Sequence, residues 1–218
     1  MASPRVILLP GMGVDRRLFG PQWAAGLEFE SPPMPMPARG DTMADYARRI
    51  RDQLALDGPC VVGGVSFGGM VACELSRITP ARCVLLIASC SDGKAIPSYT
   101  RVIEWVSRIV PDFLIRPRAA VSARMMARME GLSDEEYQLL RVMVTETEVT
   151  KLRRFARMIL NWKAPPSYPC PIHQIHGARD LVIPLGRVRP EAIVAGGGHL
   201  INMTHSKEVN AFVARHLG

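Results

Sequence analysis

Apolar positions along this chain recur with two periods that take turns. RVILLP (5–10), CVVGGVS (60–66) and CVLLIAS (83–89) are short runs with almost no polar interruption, the pattern of strands buried on both faces of a parallel sheet. LEFESPP (27–33) is a weaker run of the same kind. Between them, DTMADYARRIRDQL (41–54) places Met43, Tyr46, Ala47, Ile50 and Leu54 along one helical face, and FGGMVACELSRI (67–78) begins a second helical pattern directly after Ser66. Strand and helix alternating at this spacing predict parallel strands joined by right-handed crossovers.

From Ser91 to Ala164 the strand pattern stops. YTRVIEWVSRIV (99–110), PRAAVSARMMARME (117–130), SDEEYQLLRVMV (133–144) and EVTKLRRFARMILNW (148–162) predict helix after helix. Ser133 with Glu136 forms a capping box at the start of the third, and Gly131 ends the second. Alternation resumes after PPSYPCP with PIHQIHG (171–177), EAIVAGGG (191–198) and a last helix, HSKEVNAFVARHL (205–217). The prediction is an α/β fold: a mostly parallel sheet of about six strands with helices on both faces. Residues 1–90 and 165–218 supply its core and 91–164 form an inserted all-helical cap.

A chain of 218 residues suffices for one large domain, which buries roughly 70% of its unfolded surface. No apolar run approaches the ~20 residues of a spanning helix, so membrane insertion is not expected. MASPRVILLPGMG (1–13) lacks the apolar stretch and cleavage site of a secretory signal, and the expected location is the cytoplasm. The five cysteines are widely spaced without a C-x-x-C and read as buried free thiols. The formal charge of +7 is carried mostly by scattered arginines, which excludes the concentrated basic face of a nucleic-acid reader. SPPMPMP (31–37) reads as a rigid bend.

GGVSFGGM holds the candidate chemistry. A buried strand followed at once by a helix forces the residue at the apex into strained dihedrals, and glycines two before and two after let the two elements approach. That is G-x-S-x-G with Gly64, Ser66 and Gly68, which lifts the Ser66 hydroxyl above the carboxyl end of the sheet, where open α/β sheets bind ligands. A serine hydroxyl needs a base, and the base an orienting acid, in the chain order Ser, Asp or Glu, His. His199, in GGGH just past the last strand, is the expected base, on a glycine-rich loop mobile enough to reach Ser66. His173 and His176 lie three apart on a strand and point to opposite faces, which argues against a shared metal. Asp180 in IHGARD is the expected acid, and Asp92 in ASCSDG is the rival. The N–H groups of Phe67 and of Met12, in PGMG, are the expected donors to a developing oxyanion.

LLPGMG, GGVSFGGM, IHGARD and GGGH, in that order and spacing, resemble the α/β-hydrolase superfamily over essentially the whole chain, most closely its small bacterial esterase-type members. Two departures stand out: Pro10–Gly11 replaces a common His-Gly, and no antiparallel hairpin precedes the first parallel strand. The resemblance implies acyl transfer from a small-molecule ester, with Ser66 attacking, His199 moving the proton, Asp180 orienting it, and no metal or organic cofactor. Thioester, lactone or C–C bond hydrolysis with the same three groups, or a ligand-binding protein on this scaffold, are the alternatives. Trp105, Met125, Met126, Met129, Met143 and Met158 are candidates to line an adaptable apolar pocket, or to pack one helix on another. The oligomeric state is not legible in the sequence.

Overall fold

A computed structural model describes residues 4–98, 100 and 112–217. Five strands, β1 (Arg5–Leu9), β2 (Cys60–Val65), β3 (Ala81–Ile87), β4 (Ile172–Gly177) and β5 (Ala192–Val194), pair in that order and all in parallel. The run at 27–33 does not become a sixth strand. It touches the outer edge of β1 through one residue, Glu30, whose carbonyl accepts the Leu8 N–H (2.9 Å) and whose N–H donates to Val6 (2.8 Å). Pro32 and Pro33 follow at once and have no N–H to continue the ladder.

The eight described α-helices are α1 (Gly20–Ala24), α2 (Met43–Leu54), α3 (Phe67–Leu75), α4 (Asp112–Glu130), α5 (Asp134–Glu146), α6 (Val149–Asn161), α7 (Ile201–Thr204) and α8 (Ser206–Leu217). Side chains alternate across the sheet. Ile7, Leu9, Val62 and Val84 join the α2–α3 side, while Leu8, Val61, Leu85 and Ile87 join the side covered by Leu18, Phe19, α7 and α8. Thr42 and Asp45 form a capping box at the start of α2, and Ser133 and Glu136 do so at α5. Cys60, Cys73, Cys83 and Cys90 are buried and Cys170 half-buried, all as free thiols.

Helices α4, α5 and α6 fill the connection between β3 and β4 as the inserted cap. All but residue 100 of the helix predicted over 99–110, Trp105 included, lies outside the described residues, and α4 is already helical at Asp112, ahead of Pro117. The cap does not sit apart from the sheet. Phe155 on α6 packs 4.5 Å from Phe67 and 5.4 Å from Tyr46 between ring centres, and the Trp162 indole N–H donates to buried Glu74 (2.8 Å).

Candidate active site

Ser66 ends β2 and starts α3 with φ +51° and ψ −119°, a region non-glycine residues rarely occupy and one that typically costs ~1–3 kcal/mol. Its surroundings hold it there: its N–H donates to Ile87 (3.0 Å), and its carbonyl accepts from Gly69 N–H (3.0 Å) and Ser89 Oγ (2.6 Å). A β-carbon at Gly68 would stand 2.6 Å from the Pro10 carbonyl oxygen, and one at Gly64 would lie 2.7 Å from the Gly68 carbonyl carbon. These two positions have no room for a side chain, which explains the glycines flanking Ser66.

The structure brings Ser66, His199 and Asp180 together across 133 and 19 residues of chain. His199 Nε2 lies 2.9 Å from Ser66 Oγ, and His199 Nδ1 lies 2.8 Å from Asp180 Oδ2. A carboxylate only accepts, so Nδ1 carries the proton and the Nε2 lone pair is left to take the serine hydroxyl. Asp180 is 3% exposed. Burial pushes its carboxyl up, but hydrogen bonds from His176 and His199 and from the Ile183 amide outweigh it and hold Asp180 well below the ordinary carboxylate range. Its other oxygen, Oδ1, accepts the N–H groups of Val182 (2.8 Å) and Ile183 (2.9 Å). Asp92, the rival, instead caps a short turn by accepting the Lys94 N–H (2.9 Å), while His199 Nδ1 is taken by Asp180.

Sequence reasoning missed the support behind the acid. His176 is fully buried, with Nε2 2.8 Å from the Ile183 carbonyl and 3.2 Å from Asp180 Oδ2, while Gln174 Nε2 reaches His176 Nδ1 (3.3 Å) and donates to the Ser89 carbonyl (2.8 Å). Ser89 in turn donates to the Ser66 carbonyl, so the polar chain returns to where it began. The signal was present in IHQIHG, where Gln174 and His176 share one face of a strand otherwise built for a core.

The glycine-rich loop does not work by reach. A β-carbon at Gly197 would lie 2.7 Å from Ile201 Cγ2, and the Gly197 carbonyl accepts the Arg179 N–H (2.8 Å), so His199 is delivered by close packing against the loop that bears Asp180. Glu130, at the end of α4, accepts the N–H groups of His199 (2.7 Å) and Leu200 (3.0 Å).

Met12 borders Ser66 in the loop after β1, and a β-carbon on its neighbour Gly11 would stand 3.6 Å from Ser66 Cβ. Phe67 opens α3, so its N–H is a first-turn donor that has no acceptor within the helix. Two almost wholly apolar cavities meet at Ser66. One, of about 350 Å³, runs past Met70, Ile96, Val149, Ile159 and Leu160; the other, of about 270 Å³, past Ala123, Met126, Leu140, Val144 and His199. Met12, Leu152 and Val182 border both. Of the methionines singled out in the cap, Met126 lines a cavity, Met143 and Met158 are core, and Met125 and Met129 are exposed.

His173, Glu191 and His216 form the one group among the described residues whose donor atoms lie close enough for a cation. The two imidazoles stack at 3.8 Å and direct their nitrogens to opposite oxygens of the one carboxylate, at 2.9 and 2.6 Å, which is a staple between the sheet and α8 rather than a converging ligand set.

The chain belongs to the alpha/beta hydrolase family, whose model matches residues 5–212. It is 28% identical over 211 residues, covering 85% of this chain and 83% of the other, to a pimeloyl-[acyl-carrier protein] methyl ester esterase of Aromatoleum aromaticum. Among solved structures it resembles a thermophilic esterase from Thermogutta terrifontis (TM-score 0.74, 20% identity, 99% of this chain and 90% of that one). It also resembles an enol-lactonase from Burkholderia xenovorans (TM-score 0.77, 16% identity, 100% and 92%).

Proposed function

We propose that this protein hydrolyses carboxylic esters of apolar acids through an acyl-enzyme on Ser66. One observation carries the reading: a single imidazole bridges a strained serine and a buried, low-pKa carboxylate at the meeting point of two apolar cavities. His199 Nε2 takes the Ser66 proton as Oγ attacks the ester carbonyl, and the oxygen that gains charge is held by the N–H groups of Met12 and Phe67. The C–O bond then breaks, and the imidazolium returns its proton to the departing alcohol. Water, deprotonated by the same nitrogen, attacks the acyl carbon, and collapse of the second adduct releases the acid and restores the Ser66 hydroxyl. Asp180 keeps Nδ1 protonated and stabilises the imidazolium.

His199 must face the leaving group it protonates. Because His199 borders the 270 Å³ cavity and not the 350 Å³ one, the alcohol occupies the former and the acyl chain the latter. The pimeloyl-[acyl-carrier protein] methyl ester named for the Aromatoleum relative would place its carrier-linked pimeloyl chain on the acyl side and its methanol, far smaller than the cavity there, at His199. Hydrolysis of p-nitrophenyl esters from acetate to octanoate tests the proposal: wild type turns them over, and Ser66→Ala loses on the order of 10³- to 10⁶-fold in kcat. Equal rates in the two proteins overturn it.

The room on the alcohol side favours, as a second reading, leaving groups bulkier than a small alcohol, as in thioester, lactone or C–C bond hydrolysis. An acyl thioester, a lactone and a β-diketone matched in acyl length decide between them, with turnover faster than that of the esters favouring the second reading. A fluorophosphonate that fails to label Ser66 in folded protein would instead support a binding protein.

A further inference from the structure

We infer that Glu130 is a positioning residue, through which the helical cap holds the backbone of the histidine loop in register with Ser66. The inference rests on the reading of Ser66, His199 and Asp180 as reacting groups. Glu130 stands at the end of α4, where the helix dipole disfavours a carboxylate. It is nevertheless matched there to two successive donors, with Oε1 accepting the His199 N–H at 2.7 Å and Oε2 the Leu200 N–H at 3.0 Å. Two charge-assisted bonds to adjacent amides fix both the height and the tilt of the peptide that carries the imidazole.

Two independent features agree. A β-carbon at Gly198 would stand 2.5 Å from the Glu130 carboxyl carbon, so the third glycine of GGGH makes the space that the carboxylate occupies. Leu200, whose N–H takes the other oxygen, buries its side chain among Ala123 of α4 and Leu140 of α5. The cap therefore grips the segment from its polar and its apolar side, one residue either way from His199. The imidazole has separate partners in Asp180 and Ser66, so Glu130 acts through the backbone and touches no reacting atom.

A double-mutant cycle tests the assignment, with kcat expressed per site titrated by a fluorophosphonate so that misfolded protein is not counted. Glu130→Ala is expected to lower kcat by about 10- to 100-fold, the size of effect a displaced catalytic group produces, with little change in KM. Gly198→Ala should give a similar loss because its methyl group displaces the carboxylate. In the Glu130→Ala background that methyl has room, and Gly198→Ala should add no further loss. Amide exchange of His199 and Leu200 by NMR should speed up by at least about 10-fold in Glu130→Ala while α3 and the central strands keep their protection. Unchanged exchange at those two amides, an unchanged kcat per titrated site, or losses that multiply in the double variant each overturn the inference. Absence of Ser66-dependent turnover in wild type would strike the parent reading alone, and the exchange result would still decide the role of Glu130.

Discussion

The carboxyl edge of the sheet and the cap above it are built on opposite principles. At the sheet edge each group is over-determined: the backbone of Ser66 is held by four hydrogen bonds, and Asp180 accepts from two amides and faces two imidazoles. In the cap, Glu130 apart, packing is carried by apolar faces, and Met125 and Met129 stand 59% and 61% exposed. The difference teaches where each kind of change is tolerated. On the proposed function, reaction geometry resides where the backbone is held fast, and substrate choice where side chains can be exchanged without unfolding the protein.

Substitutions can break this division from either side. The largest expected effect is that of Ser66→Ala on ester turnover. Next comes Asp180→Asn, which leaves the imidazole in the wrong tautomer and should reduce kcat by about 10⁴-fold, whereas Asp92→Asn should leave ester turnover close to wild type. Steady-state kinetics on one ester with the two variants decide between the carboxylates; the reverse order would move the acid to Asp92.

A medium effect is expected from pH. The carboxyl of Asp180 is held low in the folded protein, so its contribution to stability is present above the unfolded value of about 3.9 and is lost as pH falls from there toward the folded value. Urea midpoints measured between pH 6 and pH 3 (about two units above and one below that value) should fall on the acid side, and fall less steeply in Asp180→Asn. Equal slopes would show that Asp180 does not carry the coupling.

Smaller still, and confined to specificity, is Leu152→Trp. Leu152 borders both cavities, so a larger side chain should shift the preferred p-nitrophenyl ester toward shorter acyl chains while acetate is still turned over. Met129→Gln should change thermal stability by no more than about 0.5 kcal/mol and leave the chain-length profile unaltered, since surface substitutions usually stay within that range.

Much of this arrangement could be read from residues alone. The apolar runs located β1 to β4 within a residue or two, because strands buried on both faces leave unbroken hydrophobic signatures. Ser66 and His199 were legible because glycine clusters mark places where backbones touch. What escaped was long-range and polar. Nothing in the sequence near Glu130 announces that its partners lie 69 and 70 residues away, and Glu28 or Glu146 look no different in composition. The run at 27–33 carried a strand signature, but the two prolines behind it left only a bridge at Glu30. GGGH suggested freedom of movement, yet two of its glycines are places where neighbours crowd in.

The contact between Phe155 and Phe67 limits how this enzyme can be re-engineered. Phe67 follows Ser66, the proposed nucleophile, and its ring is held by α6 of the inserted segment. A chimera that grafts the whole insertion from another member would therefore remove the ring against which the residue after Ser66 is packed, along with the cap residues that line the two cavities. A graft that ends before Val149 and keeps α6 would exchange only the helices that line the 270 Å³ cavity beside His199.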